Sequence, residues 1–150
     1  MWTTVFGVAN VLALVMWAAL ILLPRWPALL SAALFLGVGL LCTVYTLGLA
    51  GILTGFLDPV GGSGAGLDFG SIDGVRAIFA SDGGATIGWI HYLAFDLFVG
   101  IWIARDADAK GFSRLVQAPI LLATFLAGPF GLLIWLAIRE RRARAGGRWQ

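Results

Sequence analysis

The 150-residue chain is 60% hydrophobic and only 12% charged, with a mean hydropathy of +0.93, whereas a soluble domain is about 45–50% apolar and about 25% charged. This composition points to an integral membrane protein with one domain over residues 1–150. A net charge of +2, with no interleaving of basic and exposed aromatic residues, argues against nucleic-acid binding. The single cysteine, Cys42, excludes an internal disulfide and a multi-cysteine metal site, and in its apolar run it reads as a small buried packing residue.

Four segments are long and apolar enough to cross a bilayer, which takes about 20 residues each. The first runs over 5–23; without a basic n-region or a small-residue cleavage site it reads as a retained span, not a signal peptide. Pro24-Arg25-Trp26-Pro27 is a tight reversal into the second span, 28–57. That segment is longer than one crossing needs, so it must tilt, bend or project, and Gly48, Gly51 and Gly55 place the bend in its second half. Asp58-Pro59 ends it, because the residue before proline disfavours helix. "GGSGAG" at 61–66 is a flexible loop. In "SIDGVRAIFAS", residues 71–81, Ile72, Val75, Ile78 and Phe79 fall at helical spacing. They predict a short amphipathic helix at the membrane surface or across the bundle, capped by Ser71 or Asp73. The third span covers 86–104, a wet charged loop 105–114, and the fourth span 117–138, kinked at Gly128-Pro129. Residues 139–150 form a basic tail. The pairs Gly51/Gly55 and Gly84/Gly88 allow close helix approach. Trp2, Trp26 and Trp149 read as interface anchors.

With four crossings both termini share one side, with Arg76, Arg139, Arg141, Arg142, Arg144 and Arg148; the other side holds Arg25, Arg105, Lys110 and Arg114. This excess places both termini in the cytoplasm.

"GWIHYLAFDLFVG", residues 88–100, carries the only histidine, His91, and a lone aspartate, Asp96, inside a span. An aspartate at a helix centre costs about 2.5–3.5 kcal/mol on insertion scales, so Asp96 must face the bundle interior or a wet cavity. At about 100° per residue, His91 and Asp96 point about 140° apart. Trp89, Tyr92, Val99, Gly100 and Ile103 share the Asp96 side; Phe95, Phe98, Trp102 and Arg105 share the His91 side. Tyr92 is the better intrahelical partner for Asp96, and Asn10, Thr43, Tyr45, Thr46, Thr54 and Thr124 are candidates from other spans. Burial favours the neutral forms, which would make Asp96 a general acid and His91 a general base. Equally, Asp96 can simply hold helices together, and His91 can be structural. A single histidine is a poor metal site, and no phosphate loop, nucleophile triad or HExxH pair is present.

"GWIHYLAFDLFVG", the preceding "GVRAIFAS", the later "LLATFLAGPFGLLIWLAIR" and "LILLPRW" after the first span together resemble the abscisic-acid-deficient-4-like membrane proteins. The resemblance covers nearly the whole chain. It implies an all-α membrane protein, a four-transmembrane-helix bundle with a short amphipathic helix between spans 2 and 3, in a bacterial cytoplasmic membrane. Plant members of the family are required to make neoxanthin from violaxanthin, a redox-neutral conversion of a carotenoid epoxide into an allene. The resemblance therefore implies cofactor-free acid–base isomerisation of a carotenoid or other isoprenoid lipid. Asp96 and His91 would be the catalytic pair. Trp89, Tyr92, Phe95, Phe98 and Gly100 would contact the substrate, Gly128 and Pro129 would shape the fourth helix, and no metal or cofactor would be needed. Many relatives carry arginine after "FVG"; here it is Ile101, with Arg105 one turn later on the same side. The competing expectations are a carotenoid-binding or accessory protein without chemistry, and a small oligomeric transporter. The lack of repeats and of several intramembrane charges weighs against the last. A homo-oligomer is compatible with all three.

Overall fold

The computed structural model describes residues 1–62 and 68–146, with side chains described as far as residue 140. All its regular structure is helical: α1 (Trp2–Leu22), α2 (Pro27–Ala32), a π-helical stretch (Ala33–Gly39), α3 (Leu40–Leu53), α4 (Ile72–Phe79), α5 (Asp82–Ala109), α6 (Arg114–Leu126) and α7 (Gly128–Gly146). Among the described residues three helices are long and apolar enough to cross a membrane: α1, the continuous run Pro27–Leu53, and α5.

α1 stops where extended backbone at Leu23 leads into Pro24, and Pro27 opens α2 in the first helical position, where its missing N–H costs nothing. Arg25 holds this turn down. Its Nε donates to the Leu20 carbonyl at 3.1 Å, and one terminal nitrogen donates to the Ala104 carbonyl, to Asp108 at 3.1 Å and to Gln117.

The second apolar helix departs from expectation twice. Its irregularity lies in the first half, as the π-helical stretch, and not at the later glycines. There Gly37 lets α1 and α5 close in: a Cβ would stand 2.9 Å from Leu97 and 3.0 Å from Met16. The helix also ends at Leu53, before Asp58-Pro59, with Gly55 in the left-handed region at φ +71°. Leu57 then folds back onto Gly51. Cys42 is exposed, not buried, on a helix face that lipid can cover; a thiol is apolar enough for that position.

The expected amphipathic helix is α4. Ser71 caps it by accepting from the Gly74 N–H at 3.0 Å. It lies across the start of α5, with the Phe79 ring over Gly88. The loop 61–66 lies largely outside the described residues. Trp2 is not an interface anchor: it is buried and donates to the Asp58 carbonyl at 2.8 Å. Trp26 is half exposed at the opposite end of α1, and Trp149 lies outside the described residues.

α5 has 28 residues, so it is about 42 Å long at 1.5 Å per residue and overshoots a hydrocarbon core of about 30 Å. The first half of the expected loop 105–114 is therefore helix, as far as Ala109, and Gly111 at φ +67° then turns the chain. Of its acids, Asp106 is nearly buried and held, while Asp108 is half exposed as a wet segment predicts. Asp106 receives Arg139 (2.7 Å), Lys110 (3.1 Å) and the Trp135 indole (3.0 Å), while Asp108 meets Arg25 and Gln117.

The largest departure concerns the expected fourth crossing. Residues 114–146 form two helices that pack on each other as a hairpin. α6 starts beside the C-terminal end of α5, where Gln117 donates to Asp108 at 2.8 Å. It runs inward until Ala127 breaks it at φ −155°, ψ 80°. α7 begins at Gly128, against Asp96, and runs back to Asp106, where Trp135 and Arg139 bind. The Phe112–Trp135 ring contact, centroids 5.0 Å apart, closes the return. Gly131 lets the arms meet at Thr124. The start of α1 and the described end of α7 consequently lie at opposite ends of the bundle: Trp2 beside Asp58, and α7 running out past Asp106.

Candidate functional site

α5 is the axis of the molecule and touches every other helix group. The site residues read from the sequence all sit on it or face it, and the structure separates them into two places.

The first place is the hairpin tip. Asp96 is buried, and the Gly128 backbone N–H at the start of α7 and the Tyr92 hydroxyl one turn away approach its carboxylate. An α-helix N-terminus presents unpaired N–H groups and a partial positive charge, which suits a carboxylate there. Oδ2 of Asp96 is nevertheless buried without a hydrogen-bond partner among the described residues. The partners offered from other spans do not reach it. Thr43, Thr46, Thr54 and Thr124 each donate to the carbonyl four residues back in their own helix. Asn10 donates to the Phe6 carbonyl and accepts the Trp89 indole N–H at 3.0 Å.

The second place lies between α3, α4 and α5. A cavity of about 310 Å³ is bounded there by Tyr45, Leu49, Ile52, Phe79, Ile87 and His91, and also by Gly84 and Gly88 of α5, where α4 packs close. Its walls are mostly apolar; His91, Tyr45 and Ser81 supply the polar side chains. The His91 ring lies 5.4 Å from the Tyr45 ring and 4.6 Å from Phe95. Ser81 is committed, capping α5 by accepting from the Gly84 N–H. Asp96 does not line this cavity.

The predicted aromatic contacts split as well. Trp89 stacks on Tyr92 (5.6 Å, 8° between planes) and on Phe6 of α1. Phe95 and Phe98 are half exposed on the outer surface of α5. Gly100 meets the Trp17 ring, so it lets α1 and α5 pack closely. Gly128 and Pro129 form the first turn of α7, and what reads as a kink is a helix start. Ile101 is buried, and Arg105 is exposed one turn further along. Sequence reasoning missed Tyr45 and Phe79 as cavity walls. The signal available was the apolar face of α4, which needs a helix partner to cover. Among the described residues no three His, Cys, Asp or Glu side chains group as metal ligands.

Three long apolar helices and an apolar hairpin packed on the last of them, with a greasy cavity off that central helix, fit a polytopic membrane protein. The chain belongs to the ABA DEFICIENT 4-like family, whose sequence profile matches residues 4–135. No curated protein and no solved structure matches it.

Proposed function

We propose that this protein binds the end group of a carotenoid or other isoprenoid lipid in the α3–α4–α5 cavity and isomerises it by proton transfer through His91. The observation that supports this reading is the cavity itself: apolar walls, about 310 Å³, and one imidazole beside one phenol. An epoxide-to-allene conversion needs no oxidant. A base removes a carbon-bound proton, the electron pair becomes the new double bond, the C–O bond opens, and the oxygen takes up a proton. In this reading His91 is the base and the Tyr45 hydroxyl hydrogen-bonds the oxygen. Asp96 acts elsewhere, seating the first turn of α7. The arginine-rich end, with the C-terminus, faces the cytoplasm, and the N-terminus lies across the membrane.

The test is co-expression with epoxy-carotenoids followed by pigment chromatography. His91→Gln should abolish the new pigment while the protein still accumulates and retains substrate. Asp96→Asn should keep the product and lower the melting temperature. Loss of product in Asp96→Asn at unchanged stability would place the chemistry at the hairpin tip and overturn the assignment. A second reading, binding without chemistry, is favoured by the cavity lining, which among the described residues holds one imidazole and no carboxylate to act with it. It predicts unchanged pigment co-purifying with the wild type.

A further inference from the structure

A second cavity, also of about 310 Å³, lies at the other end of the bundle and belongs to neither place above. Arg25, Pro27, Leu30, Ser31, Leu34, Ile101 and Arg105 line it. Its two ends differ in chemistry. Leu30, Leu34 and Ile101 give an apolar floor between the second helix and α5, while Arg25 and Arg105 supply two guanidinium groups. We propose that this cavity binds a phosphate-headed lipid, its head on the two arginines and its tail along the leucines.

Three observations carry the assignment. First, Arg25 is built in: its side chain is 2% exposed, and its hydrogen bonds to the described residues leave from Nε or from one terminal nitrogen, so the other terminal nitrogen is not used by those bonds. Asp108 balances that one charge. Second, Arg105 is exposed and lies within 4 Å of no carboxylate among the described residues, so the cavity carries an excess positive charge beside an apolar wall. Third, the cavity sits at the turn joining α1 to α2, next to half-exposed Trp26, a residue type enriched at membrane–water interfaces. Arginine suits this task because its planar fork matches two phosphate oxygens at once. A free inorganic phosphate would leave the floor of leucines unused.

Two sources share this chemistry, a bilayer phospholipid and a prenyl phosphate. The purified full-length protein in neutral detergent is titrated with phosphatidylglycerol and with farnesyl phosphate, and in parallel with diacylglycerol and farnesol, with bound lipid read by native mass spectrometry. The phosphate-headed member of at least one pair should bind well above its alcohol counterpart. Preference for farnesyl phosphate identifies a prenyl ligand, and preference for phosphatidylglycerol a bilayer lipid. Arg105→Gln, an exposed change that spares the fold, should weaken that binding about fivefold, with an unchanged melting temperature without lipid. Arg105→Lys should recover part of it. Equal binding of phosphate and alcohol forms, or an Arg105→Gln protein that binds as the wild type does, would overturn the proposal. The outcome is independent of the His91 cavity, since neither variant touches it.

Discussion

Asp96 and Gly128 are a matched pair, and the match explains why glycine stands at the hairpin tip. A Cβ at Gly128 would run into the Asp96 carboxylate. Gly128→Ala must therefore push the carboxylate off the first turn of α7, an overpacking cost of about 1–3 kcal/mol. In an Asp96→Ala background the same methyl occupies space that the carboxylate has vacated. The second substitution should then cost much less, and the two effects should be strongly non-additive. Thermal melting of the four proteins in one detergent checks this; additive losses would mean that the tip is not packed as described. The separation of His91 from Asp96 was legible in the sequence, because a five-residue offset on a helix fixes their directions regardless of tertiary structure. Which helix each would face was not, because that depends on neighbours far away in the chain: Tyr45 for His91, Gly128 for Asp96.

The α6–α7 hairpin shows where hydropathy alone stops informing. Residues 117–138 read as one span because the apolar run is unbroken, and hydropathy cannot distinguish a helix that crosses from two that meet midway. Local chemistry does distinguish them. Gly128-Pro129 is a helix-start signal, with proline in the first turn, and α6 alone reaches only about 20 Å at 1.5 Å per residue, too short to cross. What turns α7 back is Asp106, 11% exposed, which gathers Arg139, Lys110 and the Trp135 indole, with Arg139 also lying over the Trp102 ring at 5.5 Å. Removing one partner of a buried ion pair costs about 3–5 kcal/mol, because the charge left behind stays desolvated. Asp106→Ala takes this shared carboxylate from two cations at once. It should release the outer half of α7 from α5, seen as a large fall in melting temperature and as new protease cleavage after Arg139. Asp73→Ala is the control: its pair with Arg76 is exposed and worth about 0–1 kcal/mol, so melting should barely move. If both variants melt alike, Asp106 does not anchor the hairpin.

The hairpin also redistributes charge over the molecule. Counted with four crossings, the basic residues divide six to four and orient the chain only by a margin. With 114–146 returning to the end it left, Arg25, Arg105, Lys110, Arg114, Arg139, Arg141, Arg142 and Arg144 belong to segments at one end, and Arg76 is the basic residue placed at the other. Residue-level patterns located the first three long helices, but the asymmetry that orients them appears only once the last segment's direction is known. Lysine and arginine near span ends stay in the cytoplasm, so the loop before α4 should lie outside, and both the α5–α6 turn and the end of α7 inside. In a Cys42→Ser background, Phe69→Cys, Ser113→Cys and Gly146→Cys place one thiol at each position. A membrane-impermeant maleimide on intact cells should label Phe69→Cys and reach the other two only after lysis. The pairing of Ser113 with Gly146 is the decisive comparison, because a fourth crossing would put them on opposite sides and give opposite labelling. Label on both and none on Phe69→Cys would reverse the orientation and leave the hairpin standing. Label on one of the two alone would remove the hairpin, and with it the contact that brings Gly128 to Asp96.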